Sequence, residues 1–290
     1  MSVLTGAMLL AGQTAQPAPG QQGQEQPGRG RGGVPAAAGR VNGPDGALWG
    51  LDNTPVIPGL PWRIHDANRP QPPVVKPPAR PGGPPSDAIV LFDGTDLSRW
   101  GVRNQAGEFT TPDWPMANGV MTAGPGTLTT RDNYGDVQLH VEFAMPTPVT
   151  GTSQGRGNSG LIFMGRYELQ ILDSYNNRTY ADGMNAAIYA EWPPMVNIAA
   201  PPGEWQTFDI LFEAPRFRGT ALLAPAYFTV LWNGAVVHNR QAVAGPTALL
   251  TVHQYTPHDA ELPLSIQGRA PVRFRNIWIR RIKGYDQPEG

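Results

Sequence analysis

Two carboxylates and an amide are closely spaced in residues 167–173. The trio consists of Glu168, Gln170 and Asp173. Side chains of a β-strand alternate between its two faces, so Glu168 and Gln170 share one face. Asp173 falls on the opposite face of a regular strand, and a single bulge would bring it back to the same side. Because carboxylates act as general acids and bases, the trio predicts a surface that handles a sugar.

The same trio also fits a solvated sheet face. Polar residues are normal on the exposed side of an antiparallel strand. The spacing therefore leaves a structural role open beside the chemical one.

Polar residues near this segment are candidates for contacting sugar hydroxyls. Arg156 and Asn158 lie in the glycine-rich run at residues 155–160, which predicts either the rim of a site or a tight turn. Arg166 directly precedes the segment, and Tyr189 fits either stacking on a sugar ring or packing in the core.

Two arginines near the C-terminus are further candidates for substrate binding. Arg273 and Arg275 share one face of the strand predicted at residues 272–280. On the side of Glu168 they would stabilise developing negative charge or pair with the carboxylates. On the other side they would be ordinary surface residues.

Hard oxygen ligands suited to calcium occur at Asp93 and Asp132. Each aspartate precedes a glycine or an asparagine, and such pairs are common turn formers, so turns are the favoured interpretation. The histidines (65, 140, 238, 253 and 258) form no recognised metal-binding spacing. We therefore predict no dedicated metal site, with calcium as the cation to test.

The composition narrows the class of protein. The chain has 290 residues and a net charge of −1, which argues against a nucleic-acid partner. It has no cysteine, so a disulfide framework and a thiolate metal site are both excluded. No stretch reaches the ~20 apolar residues of a membrane span.

The composition divides the chain into four segments. Residues 1–15 have a short apolar centre followed by small residues, typical of the remnant of a secretory signal, and predict export to the periplasm or cell surface. Residues 16–47, rich in Gly, Pro and Gln, predict a disordered tether. Residues 48–86 predict an extended proline-rich lead-in packed on the domain, and residues 87–284 predict one large domain.

Period-two patterns predict strands throughout the last segment. Apolar and polar residues alternate over residues 137–143 and again over residues 208–212. Residues 227–232 and 235–238 flank Asn233-Gly234, a pair that favours the type I′ turn of a hairpin. No long stretch has helical periodicity. The pattern predicts an all-β protein, most simply a two-sheet antiparallel jelly-roll sandwich.

Several sequence blocks, in the same order, resemble one known family. The blocks are residues 91–100 (LFDGTDLSRW), 155–160 (GRGNSG), 167–174 (YELQILDS), 203–207 (GEWQT) and 271–278 (PVRFRNIW). They resemble the 3-keto-disaccharide hydrolase domain family. The resemblance implies a concanavalin A-like jelly roll, exported from a bacterial cell, that cleaves glycosides whose sugar carries a ketone at C3.

The implied chemistry starts from the acidity of the C2 proton, because its removal beside a C3 ketone gives an enolate. The C1 substituent then leaves by β-elimination, and water adds to the unsaturated sugar. With this resemblance, Glu168 is the candidate base and Gln170 a donor to a sugar oxygen. Asp173 would serve as an orienting group or as the acid.

One segment departs from the family pattern. Members carry an Asp-His-Gly type segment just before the last strand, where residues 266–271 here read IQGRAP. If the family histidine takes part in catalysis, Arg269, His253 or His258 would have to replace it.

Three other functions stay open. The 168–173 spacing is also similar to the Glu-x-Asp-x-x-Glu strand of laminarinase-type glucanases, although here Gln170 and Asp173 replace two of the three acids. A lectin-like fold can bind glycans without cleaving them, with Trp114 or Trp192 as platforms. A structural part of a cell-surface assembly would have no sugar affinity.

Overall fold

The computed structural model of the chain describes residues 33, 34 and 36–286. It divides into two compact units, with the boundary between Arg69 and Pro70. The signal remnant predicted at residues 1–15, and residues 16–32 of the predicted tether, lie outside the described residues. Within the described ranges, no helix has the length and apolar character needed to cross a membrane.

The first unit contains a small two-stranded sheet. A 3₁₀ turn (Ala36–Ala38) precedes β1 (Arg40–Asn42), which pairs antiparallel with β2 (Leu48–Leu51). The N–H of Leu51 donates to the carbonyl of His65 at 2.7 Å, so the following segment returns along β2. β1 lies inside residues 16–47, where composition predicts disorder. It forms a strand because β2 supplies hydrogen-bond partners, which composition does not reveal.

Strands make up most of the second unit. In chain order they are β3 (Ile89–Phe92), β4 (Trp100–Arg103), β5 (Phe109–Thr110), β6 (Met116–Ala117), β7 (Val120–Thr122), β8 (Thr127–Tyr134), β9 (Val137–Ala144), β10 (Ser159–Phe163), β11 (Tyr167–Ile171), β12 (Trp205–Glu213), β13 (Arg216–Arg218), β14 (Ala221–Ala224), β15 (Tyr227–Trp232), β16 (Ala235–Ala242), β17 (Leu262–Gln267) and β18 (Arg273–Arg281). Short 3₁₀ turns occur at Ser153–Gly155 and Ala181–Gly183.

Two antiparallel sheets contain most of these strands. The six-stranded sheet has the order β11-β10-β17-β8-β4-β5. The eight-stranded sheet has the order β16-β15-β12-β9-β18-β7-β6, with β3 also paired to β18. The all-β, antiparallel architecture with almost no helix agrees with the predicted β-sandwich.

The core lies between the inner faces of the two sheets. Phe163 of β10 contacts Phe212 of β12 and Phe228 of β15, with ring centroids 4.8 and 5.2 Å apart. β9 buries every second side chain from Val137 onward, as the alternation predicts. The intervening polar side chains therefore lie on the outer face of the eight-stranded sheet.

The predicted hairpin is confirmed at β15 and β16. Asn233 and Gly234 both have positive φ angles, +50° and +82°, as a type I′ turn requires. The turn also explains why Asn and Gly are needed there, since both tolerate this backbone conformation.

Candidate active site

β11 turns Glu168 and Gln170 away from the core. Tyr167, Leu169 and Ile171 of the same strand are fully buried in the core, so alternation places the two polar side chains on the outer face of the six-stranded sheet. The pairing of β11 with β10 is regular from Tyr167 to Ile171. The shared face predicted for Glu168 and Gln170 is therefore present.

Asp173 does not join them, contrary to the expectation from the sequence. β11 ends at Ile171, and no bulge interrupts its pairing with β10. The Asp173 side chain is only 2% exposed and accepts a hydrogen bond from Arg156 Nε at 2.7 Å. The ion pair joins Asp173 to Arg156, and neither residue lines the cavity that contains Glu168.

A small cavity opens over Glu168 and Gln170. Its volume is about 110 Å³. Its lining combines one carboxylate, one guanidinium, three amides, one phenol and two apolar side chains, namely Glu168, Arg269, Asn158, Gln170, Gln267, Tyr189, Ala248 and Leu249. Among the residues described, Glu168 is its only acid.

Gly160 makes room for the Glu168 carboxyl group. A Cβ atom at Gly160, which pairs with Gln170 across β10 and β11, would lie 2.1 Å from Glu168 Oε1. Desolvation raises the pKa of Glu168 to about 7, and the positive charge of Arg269 partly opposes this rise. The carboxyl group can therefore both accept and release a proton near neutral pH.

Arg269 supplies the positive charge of the cavity. It follows β17 on an exposed stretch of chain, and its guanidinium forms no hydrogen bond or ion pair with any of the described residues. A free guanidinium beside a desolvated carboxyl group can stabilise an anion that develops between them.

The Gln170 amide can adapt to either protonation state of Glu168. In one orientation its nitrogen donates to Gln154 Oε1 at 3.3 Å, which leaves its oxygen facing Glu168 Oε1 and suits a protonated carboxyl group. In the flipped orientation the nitrogen donates to Glu168 Oε1 at 3.1 Å and to the Ser159 carbonyl at 3.2 Å, which suits a carboxylate. The Gln170 nitrogen therefore has a hydrogen-bond acceptor in either orientation.

Tyr189 reaches the cavity from a segment that pairs with β11. Its backbone N–H donates to the Glu168 carbonyl at 3.0 Å. Its hydroxyl lies 3.4 Å from that of Tyr180. Desolvation, with the neighbouring Tyr180 and Glu168, raises the pKa of Tyr189, so its phenol keeps its proton. The cavity therefore contains a neutral hydrogen-bond donor.

The remaining predicted binding residues separate into two groups. Asn158 lines the cavity, and its Nδ2 donates to the Gln154 carbonyl at 2.9 Å. Arg166 does not line it and contributes its backbone carbonyl, which accepts from Thr247 N–H at 2.9 Å.

Arg273 and Arg275 belong to β18 of the other sheet, where both guanidiniums lie over Trp205. The two strand arginines are thus placed on the other sheet from Glu168, so the predicted role for them beside the carboxylates is wrong.

Neither the histidines nor the predicted turns form a metal cluster. All five histidines fall within the described part of the chain, and none lines the cavity. His258 Nε2 lies 2.9 Å from the Tyr167 hydroxyl. Asp93 accepts from the backbone and hydroxyl of Thr95, as a turn-forming aspartate does. Across the described ranges, no group of three His, Asp or Glu residues could hold a metal ion.

Sequence reasoning missed part of the cavity lining. Gln267, Ala248 and Leu249 carry no local pattern that marks them, because strand pairing and loop folding bring them to β11 from about 80 to 100 positions away. Arg269 had one signal, since it stands within the segment that departs from the family pattern.

A comparison with protein-family models matches residues 87–280 to the 3-keto-alpha-glucoside-1,2-lyase-like domain. This match spans well over half of the chain. The chain belongs to this family. The resemblance found in the sequence is therefore confirmed, and the β11 cavity lies inside the family domain.

Solved structures similar to this chain come from Parabacteroides distasonis ATCC 8503. One, described as a candidate glycosyl hydrolase, is 38% identical with a TM-score of 0.70, covering 78% of this chain and 100% of its own. A second, described in the same terms, is 19% identical with a TM-score of 0.49, covering 68% of this chain and 94% of its own. No curated protein is similar enough to count as a relative.

Proposed function

We propose that this protein is a carbohydrate-active enzyme that cleaves glycosides whose sugar carries a ketone at C3. Its family and its 38% identity to a candidate glycosyl hydrolase support a glycosidase-like enzyme. The observation that carries the finer proposal is the pairing of a desolvated carboxyl group, Glu168, with a free guanidinium, Arg269, in one cavity.

Glu168 is the base of the first step. A carboxylate with a pKa of about 7 holds a proton more strongly than an ordinary one, so it is better matched to a carbon acid at neutral pH. It takes the C2 proton, and the electron pair of the C2–H bond moves toward the C3 oxygen as an enolate. Gly160 leaves the carboxyl group free to approach the substrate.

Arg269 stabilises the enolate. Negative charge grows on O3, and the Arg269 guanidinium in the same cavity favours that charge. The enolate therefore forms beside a positive charge that already lies in the cavity.

Collapse of the enolate breaks the C1–O bond and forms a C1=C2 double bond conjugated with the ketone. Tyr189 is the proton donor that the cavity offers to the departing oxygen. Water then adds across the double bond: its hydroxyl goes to C1, the proton held by Glu168 goes to C2, and the remaining proton of the water returns to the Tyr189 phenolate. The net reaction is hydrolysis of the glycoside.

A retaining glucanase mechanism receives less support from the cavity. That mechanism requires two carboxyl groups about 5–5.5 Å apart. Among the described residues of the lining, Glu168 stands alone, and Asp173 is held by Arg156. The elimination route needs one carboxyl group and is therefore preferred.

We also infer that the two sheets form a concanavalin A-like jelly roll. The inference is supported by two large antiparallel sheets whose neighbouring strands are mostly distant in sequence, as crossovers between sheets produce.

The test uses a 3-keto-glucoside with a chromogenic leaving group beside its unoxidised parent, each with and without EDTA. Release from the keto compound alone, lost in Glu168→Gln, is the expected result, and the EDTA arm examines the calcium expectation. Release from both compounds would favour direct hydrolysis. Tight binding without any release would identify a glycan-binding module.

A further inference from the structure

A charge-free loop borders the cavity on one side. This rim loop, residues 244–252, reads AGPTALLTV and follows β16. Leu249, Leu250 and Val252 are 63%, 93% and 79% exposed. Because Leu249 lines the cavity, these exposed aliphatic side chains belong to a loop that borders its mouth.

The first half of the rim loop is fixed beside the site. The N–H groups of Ala244 and Gly245 donate to the Glu191 carboxylate at 2.6 and 3.3 Å. The Thr247 hydroxyl accepts from the backbone N–H of Glu168 at 2.9 Å. Because Thr247 is bonded to the strand that carries the base, the next residues, Ala248 and Leu249, become part of the cavity wall.

Leu250 has an unfavourable backbone conformation for its side chain. Its φ angle is +59°, in the left-handed region that leucine rarely adopts. Such strain often occurs at residues with a functional role. Here it accompanies a leucine side chain that remains almost fully exposed next to Leu249.

The cavity is too small to hold a whole glycoside. Its volume of about 110 Å³ lies well below the ~300–1,000 Å³ typical of sites for drug-sized ligands. The group attached at C1 must therefore project past the mouth. On the rim side the lining includes Leu249, with Leu250 next in the chain, and residues 244–252 contain no charged side chain to bind a second sugar.

We infer that the rim loop is a subsite for an apolar aglycone, so that the preferred substrates are 3-keto-glucosides of alkyl or aryl alcohols rather than disaccharides. The inference rests on the proposed function of the Glu168 cavity. Contact with Leu249 and Leu250 would bury apolar surface on both partners, and an alkyl or aryl group offers more of it than a hydroxyl-rich sugar ring does.

The test is a series of propyl, butyl, pentyl and hexyl 3-keto-glucosides, whose leaving groups have nearly the same acidity. We expect kcat/KM to rise about two- to fourfold per added methylene. Leu250→Asn, which suits a positive φ angle, should flatten this slope while turnover of the methyl compound stays within about twofold. Leu223→Asn on β14, 57% exposed and outside the cavity lining, is the matched control and should keep the wild-type slope.

Three results would overturn the inference. A flat slope in the wild type, or a keto-disaccharide cleaved faster than the hexyl compound, would exclude an apolar subsite. An equal loss with methyl and hexyl substrates in Leu250→Asn would identify a lid. Concentration-dependent association that Leu250→Asn abolishes in sedimentation would identify a contact between two copies of the chain.

Failure of the proposed function can be distinguished from failure of the apolar subsite. If no 3-keto-glycoside is cleaved, calorimetric binding of octyl and methyl glucoside still measures the subsite. Tighter binding of the octyl compound that weakens in Leu250→Asn but not in Leu223→Asn would retain the apolar subsite and reject only the elimination chemistry. Equal binding of both glucosides would reject the subsite as well.

Discussion

The outer faces of the two sheets each carry a glutamate near an arginine, yet the two glutamates differ chemically. Glu142 on β9 accepts hydrogen bonds from Arg275 Nε at 2.6 Å and Asn276 Nδ2 at 2.7 Å. Desolvation works against these bonds, but together with the charge of Arg275 they hold its pKa below the usual value. Desolvation without comparable donors raises the pKa of Glu168. Pairing, more than residue type, decides which carboxyl group can exchange a proton near pH 7.

A histidine extends the cluster around Glu142. His140 Nδ1 lies 2.7 Å from Asp209 Oδ1, and its Nε2 lies 3.2 Å from Asn276 Nδ2. The ring is buried and stacks on Trp278 at 5.2 Å. This His–Asp pair has the composition of a catalytic dyad, but both ring nitrogens already have protein partners. We therefore regard it as structural.

Exchanging each glutamate for glutamine is the strongest test of this contrast. Glu168→Gln removes the base, and we expect kcat/KM for a 3-keto-glucoside to fall by about 10²–10⁴-fold. Glu142→Gln should leave it within about threefold. Steady-state kinetics on folded protein checks both, and similar losses in the two variants would contradict the division of roles.

For stability we expect the reverse order: the exchange at Glu142 should destabilise the protein, although it hardly changes activity. Glu142→Gln leaves Arg275 without its ionic partner in a partly solvated site, and we expect a loss of about 1–3 kcal/mol in the free energy of unfolding. Urea denaturation at pH 7 measures it. An unchanged midpoint would mean that solvent replaces the pair at no cost.

The raised pKa of Glu168 also predicts a pH-dependent cost to stability. The folded chain holds this proton up to about pH 7, whereas the ordinary value is 4.5, so folding binds a proton between these limits. Stability linked to Glu168 is therefore complete below about pH 4.5 and declines as the pH rises through 7. We expect Glu168→Gln to be more stable than the wild type by about 1–3 kcal/mol at pH 8 and equal to it at pH 4. Unfolding curves at both pH values check the sign, and equal stability at pH 8 would rule out a desolvated carboxylate.

The smallest expected effect is a shift of the acidic limb of the pH profile of kcat/KM. Ionisation of Glu168 should make kcat/KM rise with pH through an apparent pKa of about 7. Arg269→Gln removes the charge that favours the carboxylate, so the limb should move to higher pH by up to about one unit. Arg273→Gln, on the other sheet, is the control for a general change in charge. A limb that moves equally in both variants would show that Arg269 has no special place beside Glu168.

Local sequence patterns predicted the strand but only part of the site. Alternation placed Glu168 and Gln170 together on β11, and Asn233-Gly234 located the hairpin, since both depend on neighbouring residues. Asp173 could not be placed in this way. Its fate depends on where β11 stops and on the ion pair with Arg156, seventeen positions earlier.

The strand arginines show a second limit of periodicity. The period of β18 correctly groups Arg273 with Arg275, and both lie over Trp205. The two-residue alternation of a strand predicts which residues share a face, but it does not predict which sheet the strand joins. Sheet order decides that, and β18 pairs with β9 and β3 rather than with β10 or β17.

The segment that brings Tyr189 to the cavity has a second consequence. β11 is the last strand of its sheet, and the backbone groups of Glu168 and Gln170 would otherwise face outward unpaired. Gln170 N–H donates to Ala187, and Ala186 N–H and Tyr189 N–H donate to the carbonyls of Gln170 and Glu168. This covering keeps the strand from pairing edge to edge with another chain. Shortening the segment would therefore promote aggregation as well as remove a wall of the cavity.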